Sequence, residues 1–586
     1  MQRFIGMKLL PIFVRYFLFV ATFSVFLNAA DSIDRAILVT SEITLPLENG
    51  DKVTAKRISG ADLGAGNFSW TGELEGEQAG FVTFTKVSDW LSGTVHFLEG
   101  ITYSFRGPMD RVELKRLNAK ARSCGGCLTT TKGQPLDPRR QRRIKTWRNG
   151  DGNLVDLLIV YPSAVATAAG GVSGLEADVF NSVAGANLCY RNSKVKLQLR
   201  LVHLAKVSYS TTGNLETDLE RLENPTDGYM DNVHDLRDQY GADLVALLAT
   251  DSSSGGLANT MMFPSLDFAS QGFSVSVWDQ IGAPSYTLAH ELGHNMGCLH
   301  NREDSGDVDD GYDFRAFSYG KRWLSGNPGY ATVMSYDTEP ISSYPNTIPY
   351  FSNPNVSYLG TPTGNEGTED NAQVLSFTTP YVANFRRSVV PGIVPSFSSI
   401  AVNEGEAAVV NVRLATEPAS PITVTASIAN DGDVDLLLSG STSFTFDSEN
   451  WNLPHPVHIY ARNDADGTNG SAVLSLSSAG MTTSTVTITE SDSGSSVAAD
   501  YLVSGTIANS LGIGISSVTL TFSNFGGTVT TDSNGGFHHL LESGWAGTLT
   551  PSKNGHTFAP SSGSISSLSG NSIGISFSAS RSNILY

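Results

Sequence analysis

Hydrophobic and polar residues alternate along the first part of the chain. Segments such as GFVTFTKV and LSGTVHFLEG alternate apolar with polar residues and are separated by glycine-containing turns. A period of two residues is typical of strands that bury one face. This pattern predicts a small β-rich domain within residues 31–143.

Longer apolar runs and helical spacing begin after residue 150. The runs LVDLLIVYP and ADLVALLA are almost wholly hydrophobic, as expected of strands that are buried on both faces. Between them, residues 175–191 and 215–240 place apolar residues at the spacing of amphipathic helices. Strands that alternate with helices predict an α/β domain with a mixed, twisted sheet over residues 150–388.

Helical spacing disappears beyond residue 387, where a linker rich in Pro and Gly, VVPGIVPS, begins. Residues 395–493 and 500–580 contain short alternating segments rich in Val, Thr and Ser. Such segments predict two all-β sandwiches. The chain is therefore predicted to be multidomain, as its 586 residues also suggest.

The amino terminus has the pattern of a secretion signal. Arg3, Lys8 and Arg15 precede an uncharged, mostly apolar run that ends in Ala29 and Ala30. The run is too short to cross a bilayer comfortably, so residues 1–30 are predicted to be a cleaved signal peptide. The alternative is an uncleaved anchor. Cleavage predicts a secreted, extracellular protein with no membrane span in its mature form.

Charge narrows the range of partners. The chain holds 57 acidic and 38 basic residues, a formal net charge of -19, which argues against nucleic acid as a partner. The basic exception is RRQRRIKTWR at residues 139–148. An exposed basic stretch between two domains is readily cut by proteases. Residues 31–143 are therefore predicted to be a propeptide that ends in a basic processing site.

The segment TLAHELGHNMGCLH contains the candidate metal ligands and the candidate general base. His290 and His294 are four residues apart, so on a helix they share a face and can bind one metal ion. Gly297 can end that helix in a left-handed conformation, which lets His300 return as a third ligand. Three imidazoles leave one tetrahedral position open, as in a catalytic zinc site. Glu291 lies beside the first ligand, where it can act as general base toward a metal-bound water.

HELGHNMGCLH resembles the zinc signature of the metzincin peptidases, and YATVMSYD places Met334 where that clan has its Met-turn. Within the clan, residues 154–387 are similar to bacterial reprolysin-like enzymes of the peptidyl-Asp type. The resemblance implies an α/β catalytic domain, an active-site helix and one catalytic Zn²⁺. It also implies a strand above the metal that pairs with the substrate backbone. SGGLANTM is the candidate for this strand, with Gly255, Gly256, Leu257 and Ala258 as binding residues; the alternative is an ordinary Gly-Gly turn.

Two residues depart from the reprolysin-like pattern. These enzymes usually have Asp directly after the third His, where it braces the site from behind, and this chain has Asn301. Tyr336 follows the Met-turn at the position where other metzincin branches have a switchable metal ligand that stabilises the oxyanion. The resemblance to those branches makes Tyr336 a candidate catalytic residue. The alternatives for Tyr336 are packing or substrate contact.

The four cysteines leave several alternatives open. Cys124 and Cys127 lie in RSCGGCLTT, just before the basic stretch. By resemblance to metzincins with a cysteine switch, one of them is a candidate to occupy the open metal position in a latent precursor; the alternative is a local disulfide. Cys189 and Cys298 would then pair within the catalytic domain, although four cysteines allow three connectivities.

The carboxy-terminal modules suggest further partners. Residues 395–493 resemble Calx-beta sandwiches, and acidic motifs such as DGDVD and DADG near their strand ends make them candidates for Ca²⁺ binding. The alternative is surface acidity that keeps a secreted module soluble. Residues 500–580 resemble carboxypeptidase-regulatory-like sandwiches, which implies attachment to a surface or matrix.

The sequence as a whole predicts a secreted zinc metalloendopeptidase that cleaves proteins and is made as a latent precursor. A different zinc hydrolase with a non-protein substrate is the first alternative. The second is a non-catalytic adhesin that retains a zinc-binding metzincin domain.

Overall fold

The structure is a computed structural model of the full chain. It describes residues 42–46, 52–74, 79–117, 127–128, 154–250, 252, 254–305, 316–323, 329–336, 346–397, 399–429, 436–439, 441–462, 469–491, 500–509, 514–524, 526–532, 535–542, 544–570 and 572–581. The predicted signal peptide, Cys124 and the basic stretch 139–148 lie outside these residues. None of the helices in the described parts combines the length and the hydrophobicity needed to cross a membrane.

The predicted β-rich domain is a seven-stranded antiparallel sheet in which strands pair in sequence order. Its strands are β1 Glu42–Pro46, β2 Lys52–Gly64, β3 Asn67–Leu74, β4 Gly80–Val87, β5 Trp90–Phe97, β6 Thr102–Pro108 and β7 Glu113–Leu117. Aromatic residues on one face, including Phe68, Trp70, Phe84 and Phe105, form its core. The alternating pattern seen in the sequence thus places one face of each strand in a shared apolar core.

A six-stranded mixed sheet organises the predicted catalytic domain, in the order β10-β9-β11-β13-β12-β8. Its strands are β8 Cys127–Leu128, β9 Leu154–Pro162, β10 Gln198–Val207, β11 Leu244–Ala249, β12 Gly256–Asn259 and β13 Phe273–Val277. Neighbouring strands from β10 to β13 run parallel, whereas β12 runs antiparallel to β13. Every residue of β9 and β11 is buried, which confirms the prediction of strands covered on both faces.

Helices cover both faces of this sheet. They are α1 Ser163–Ala168, α2 Val172–Asn192, α3 Leu215–Glu223, α4 Asn232–Tyr240, α5 Thr287–Asn295, α6 Arg302–Ser305 and α7 Asn371–Val382, with short 3₁₀ turns at Leu266–Gln271 and Trp278–Gln280. On one face α2, α5 and α7 pack around Leu157 and Ile159 of β9. On the other face α3 and α4 pack around Leu158 and Val160. The mixed α/β prediction is thereby confirmed as a three-layer domain.

Among the described residues between α5 and α7, short strands shape the region around the third histidine. They are β14 Leu299–Asn301, β15 Tyr319–Gly320, β16 Arg322–Trp323, β17 Tyr330–Ala331, β18 Asn346–Thr347, β19 Ser357–Tyr358 and β20 Thr361–Pro362. β14 pairs with β15, and β16 pairs with β17. β17 also pairs with β18, and this pairing joins the chain on either side of the predicted Met-turn.

Residues 392–586 form a second compact unit. Its first module contains β21 Ile393–Pro395, β22 Ser399–Asn403, β23 Ala407–Leu414, β24 Ile422–Ala429, β25 Leu436–Ser439, β26 Ser443–Phe446, β27 His455–Ala461, β28 Ser471–Ser477 and β29 Ser484–Ser491. A four-stranded and a five-stranded sheet share one apolar core that includes Val412, Phe446 and Trp451. Two sheets around one core form the predicted β-sandwich.

The second module of this unit is also built from two sheets. Its strands are β30 Asp500–Ala508, β31 Thr519–Phe522, β32 Gly527–Thr530, β33 Gly536–Glu542, β34 Gly547–Ser552, β35 His556–Ala559, β36 Gly563–Ile565 and β37 Ser572–Arg581. Two four-stranded sheets enclose a core that includes Leu520, Phe537 and Phe577. Phe537 is fully buried in this core.

The predicted disulfide between Cys189 and Cys298 is absent from the structure. Both residues are free and fully buried. Cys189 lies on α2, and the Sγ of Cys298 lies 3.9 Å from the carbonyl oxygen of Asn371. Burial raises the pKa of both thiols. The two side chains therefore act as small hydrophobic groups in the core rather than as a covalent link.

The β-rich domain packs against α2 through a buried ion pair. Arg106 of β6 donates from Nε and Nη2 to the carboxylate of Asp178, with distances of 2.7–3.0 Å. Ser92 of β5 donates to the same carboxylate at 2.8 Å. Burial raises the pKa of the Asp178 carboxyl, and the Arg106 and Ser92 hydrogen bonds oppose that rise. This pair therefore ties the two domains together by a charged contact between β6 and α2.

Replacing Arg106 with Ala should loosen this contact. The Arg106 side chain is 32% exposed, so we expect a loss of about 2–3 kcal/mol, below the usual cost of breaking a fully buried pair. Without its partner, the Asp178 pKa rises further, and the carboxylate is penalised in the folded state once pH exceeds that pKa. The loss should therefore be larger at pH 7 than near pH 4, where an unfolded Asp also begins to bind a proton.

Calorimetry at both pH values would measure the loss, in a Glu291→Ala background that prevents self-cleavage. Arg111→Ala is the matched control, because Arg111 lies in the same domain and its side chain is 77% exposed. An equal shift for both substitutions would show that the buried pair does not stabilise the contact.

Candidate metal centre

The helix α5, Thr287–Asn295, carries two of the predicted ligands on one face. Both His290 and His294 are buried, and their rings meet edge to face with centroids 4.8 Å apart. After the helix Gly297 adopts φ +91°, a left-handed conformation that glycine takes without steric cost. The amide of Cys298 donates to the carbonyl of Gly293 at 2.9 Å, and β14 then returns His300 to the first two histidines. The turn expected at Gly297 is therefore present.

The Nε2 atoms of the three histidines converge on one point. The distance from His294 to His290 is 3.1 Å, from His294 to His300 is 3.0 Å, and from His300 to His290 is 3.1 Å. Three nitrogens at a metal–nitrogen distance of about 2.0–2.1 Å in a tetrahedral arrangement are separated by nearly this much. The three side chains form the metal-binding group found among the described residues.

Hydrogen bonds set the orientation of two of these rings. Nδ1 of His290 lies 2.8 Å from the carbonyl oxygen of Val333, and Nδ1 of His294 lies 2.8 Å from that of Cys298. A carbonyl only accepts, so each Nδ1 carries the hydrogen and each Nε2 presents a lone pair. Burial lowers the pKa of all three histidines, to about 4 for His290. The rings are thus held neutral, which is the form that binds a metal ion.

This donor set fits a divalent metal ion. The Nε2 lone pairs of His290 and His294 face each other at 3.1 Å and repel one another unless a cation lies between them. Three neutral nitrogens with a fourth position open are the ligands of a catalytic zinc site. Glu291 is fully buried on the same helix, next to the first ligand.

Met334 lies beneath the active-site helix, as a Met-turn does. It is fully buried, and a Cβ added at Gly293 would lie only 2.5 Å from its Sδ. Gly293 is located between the two helical ligands in the sequence, so its lack of a side chain lets the turn approach them closely. The residue before the methionine, Val333, also accepts the hydrogen bond from His290. The turn therefore supports the ligands both by packing and by a hydrogen bond.

The proposed substrate strand is the outermost strand that the domain itself contributes to the sheet. β12 contains Gly256, Leu257 and Ala258, and Gly255 immediately precedes it. Asn295, at the end of α5, donates to the carbonyls of Asn259 and Phe273 at 2.8 and 3.0 Å. These two bonds fix the strand relative to the helix that carries the ligands. Gly256–Asn259 thus form a strand, and the role of this segment in substrate binding stays a prediction.

Gly256 lies directly against Glu291. A Cβ at Gly256 would overlap Oε1 of Glu291 and would lie 2.7 Å from its Cγ and Cδ. An alanine here should therefore displace the carboxylate while the histidines stay in place. We expect Gly256→Ala to lower kcat about 10–100-fold, since a shift of about 1 Å can cost that much, with zinc content unchanged.

Kinetics on a peptide substrate together with metal analysis would measure this effect. The control is Gly570→Ala, because no heavy atom lies within 4 Å of a Cβ built there. A Gly256→Ala protein with the kcat of the unmodified chain would show that Glu291 is not confined by this strand.

Tyr336 and Asn301 both lie at the edge of the metal centre. The Tyr336 ring lies 3.9 Å from the His300 ring, measured between centroids, and 6.4 Å from the His290 ring. Its backbone amide donates to Oδ1 of Asn301 at 3.0 Å. Asn301 thus contacts the segment after the Met-turn. It occupies the position of the Asp that is expected to brace the site in reprolysin-like enzymes. A catalytic role for Tyr336 stays a prediction.

A segment from upstream of the catalytic domain pairs with the candidate substrate strand. The backbone of β8 runs parallel to β12, with Cys127 opposite Ala258 and Leu128 opposite Asn259. The strand that would bind substrate therefore already has a neighbour on its outer side. Cys124 lies outside the described residues.

Some contributors to the site have no signal in the sequence. The carbonyls of Val333 and Cys298 orient two ligands, and a backbone carbonyl is present in every residue. Asn295 and Gly256 act through tertiary contacts with residues distant in the sequence. The Gly255–Gly256 pair was the one indication that the backbone comes close to another group here.

Comparison with known families and proteins agrees with this geometry. Residues 151–352 match the family model Reprolysin_5, Metallo-peptidase family M12. The peptidyl-Asp metalloendopeptidase of Xanthomonas campestris is 34% identical over 241 residues, which are 41% of this chain and 53% of that protein. The protein of the same name from Stenotrophomonas maltophilia strain K279a is 35% identical over 239 residues, 41% of this chain and 54% of its own length.

The similarity to these relatives is confined to part of each protein. The chain spans about half the length of the curated relatives that it matches. Among solved structures, the class 5 fimbriae chaperone CfaA aligns with 28% of this chain and 93% of its own length, at 9% identity and a TM-score of 0.15. That likeness is too slight to bear on the fold.

Proposed function

We propose that this chain is a zinc metalloendopeptidase that hydrolyses peptide bonds in proteins, because residues 151–352 match the model of Metallo-peptidase family M12. The observation that carries the proposal is the convergence of three histidine Nε2 atoms within 3.1 Å of one another beside a buried glutamate. Burying a carboxylate is costly, and such groups are concentrated at sites where they have a chemical role.

Each residue of the site has a separate role in the proposed hydrolysis of a peptide bond. The three imidazoles would hold a zinc ion, which would supply Lewis acidity toward a water molecule and the scissile carbonyl. The carboxylate of Glu291 accepts a proton from the attacking water and passes it to the leaving amine. The backbone of β12 holds the substrate as an added strand. Tyr336, whose ring lies against His300, is our candidate for stabilising the oxyanion.

Cleavage of an unbiased peptide library by the purified chain tests this proposal. The relatives are named peptidyl-Asp metalloendopeptidases, so we propose cleavage on the amino side of an acidic residue. Enrichment of Asp after the cut would support that specificity, and cleavage without such enrichment would refute it. Hydrolysis of denatured casein separates this function from the two alternatives, a zinc hydrolase of non-protein substrates and a non-catalytic adhesin.

We also propose that the chain is made as a latent precursor. The pairing of β8 with β12 supports this, because an upstream segment then occupies the edge where substrate would pair. Removal of residues up to the basic stretch 139–148 would free that edge. A thiolate from Cys124 or Cys127 remains our candidate for the open metal position. Amino-terminal sequencing of active secreted protein should place its start within or just after the basic stretch; an active protein that retains residues 31–138 would refute latency.

The remaining parts of the proposal concern location and the carboxy-terminal modules. Secretion rests on the pattern of residues 1–30. Surface or matrix attachment rests on the two β-sandwiches, which add no further group of metal-binding side chains among the described residues. The motifs proposed for Ca²⁺ at residues 431–435 and 464–467 lie outside those residues. Calorimetric titration of the full chain with Ca²⁺ tests that part, and absence of binding would refute it.

A further inference from the structure

Asn301 connects the third ligand to two other parts of the site. It directly follows His300 on β14 and is 1% exposed. Its Oδ1 accepts from the backbone amide of Tyr336 at 3.0 Å, and its Nδ2 donates to Oε2 of Glu303 at 2.7 Å. A backbone amide only donates and a carboxylate accepts, so these two partners fix which end of the Asn301 amide points to each.

Glu303 contacts the strand that pairs with the one leading into the Met-turn. Its Oε2 lies 3.9 Å from Nε of Arg322, whose Nη1 lies 3.2 Å from the carboxylate of Asp304. Arg322 belongs to β16, which pairs with β17 at Tyr330 and Ala331. The Arg322 side chain is only 8% exposed. Asn301, Glu303 and Arg322 therefore connect His300 to the strand before the Met-turn, and the Tyr336 amide connects the residues after the Met-turn back to Asn301.

An aspartate in place of Asn301 would not fit these contacts. One of its oxygens could accept from the Tyr336 amide as Asn301 does. The other oxygen would face a Glu303 oxygen at hydrogen-bond distance with no hydrogen between them. Two carboxylates in such contact repel each other, and the solvent that reaches the 67% exposed Glu303 side chain reduces this repulsion without removing it.

We infer that Asn301 and Glu303 are a matched donor–acceptor pair that positions His300 against the Met-turn. In this chain the pair does the bracing that the reprolysin-like pattern assigns to a single Asp. Both are positioning residues, since they act through His300 and the Tyr336 backbone. The inference rests on the proposed zinc site and is independent of whether the chain cleaves proteins.

Three variants of the full chain test the pair: Asn301→Asp, Glu303→Gln and the double substitution. Asn301→Asp should weaken zinc binding about 10-fold, the low end of what loss of a ligand's hydrogen-bond partner costs, because Asn301 acts on His300 through the backbone and Glu303 is 67% exposed. Glu303→Gln keeps an acceptor for Asn301 and should stay within about threefold of the unmodified chain. In the double variant the newly introduced side-chain amide donates to the newly introduced carboxylate, which reverses the hydrogen bond and should restore affinity to within about threefold.

Competition with a chromophoric chelator would measure zinc affinity directly, and kcat and KM would be recorded separately. The control is Asn365→Asp, because Asn365 donates to Glu369 in the same way but on an exposed loop. Unchanged affinity in Asn301→Asp, or a double variant no better than Asn301→Asp, would overturn the inference. If Asn301→Asp does not fold, recovery of folded, zinc-binding protein in the double variant supports the pair, and failure of both overturns it. Zinc binding without proteolysis in the unmodified chain would refute the proposed function alone.

Discussion

Replacing Glu291 with Ala should abolish proteolysis while leaving zinc bound. The side chain is fully buried beside His290 but supplies none of the three nitrogens that converge on the metal position. Loss of a general base typically costs about 10²–10⁴ in rate, and here the same group also returns the proton to the leaving amine. We therefore expect kcat/KM to fall at least about 10³-fold. Peptide hydrolysis and metal analysis on the same preparation would measure both quantities.

A matched control makes this result specific. Glu366 is an exposed glutamate of the same domain, so Glu366→Ala should retain full activity and full zinc content. Glu291→Gln keeps the shape of the side chain but cannot accept the proton, and it should be nearly as inactive as Glu291→Ala. Appreciable proteolysis by Glu291→Gln would mean that another group acts as base. Loss of zinc in either Glu291 variant would instead assign the residue a part in metal binding.

The sequence predicted the parts of this site that depend on local spacing. His290 and His294 share a helical face because four residues make about one turn, and Gly297 is compatible with the turn that returns His300. The same reasoning predicted the fully buried strands, since a short, almost wholly apolar run is typical of a strand that is covered on both faces. Residues 215–240 were expected to be helical, and the structure divides them at residues 224–231. That division had a signal, because the segment contains Pro225 and Gly228.

Other features depend on contacts between distant parts of the chain. The disulfide between Cys189 and Cys298 was inferred by pairing the cysteines left over, whereas their burial as free thiols follows from core packing. β8 consists of two residues, and no periodicity can show in so short a segment. Arg106 and Asp178 are 72 positions apart and form their ion pair only when the β-rich domain packs on α2. Local sequence patterns thus predicted the metal ligands and the general base. The contacts that hold these residues in place depend on tertiary structure and could not be predicted.

Replacing His294 with Ala should remove the metal ion itself. His294 is one of the three converging ligands, since its Nε2 lies within 3.1 Å of both other nitrogens and its ring is fully buried. Two imidazoles alone bind zinc far more weakly than three, so the loss of affinity should exceed the roughly 100-fold that an outer partner costs. Proteolysis should fall below detection. Zinc should raise the unfolding temperature of the unmodified chain, because a ligand that binds only the folded state stabilises it, and should not do so for the variant.

His203→Ala is the control for this experiment, because His203 lies on β10 at the opposite edge of the central sheet and stacks on Tyr240. It should retain both zinc and activity. The comparison with Glu291→Ala then separates two roles within one helix turn. If both variants are inactive but only His294→Ala has lost its metal, the helix carries a metal ligand and a base as proposed. If His294→Ala keeps zinc at full affinity, the three converging nitrogens are not the metal site, and the mechanism built on them is wrong.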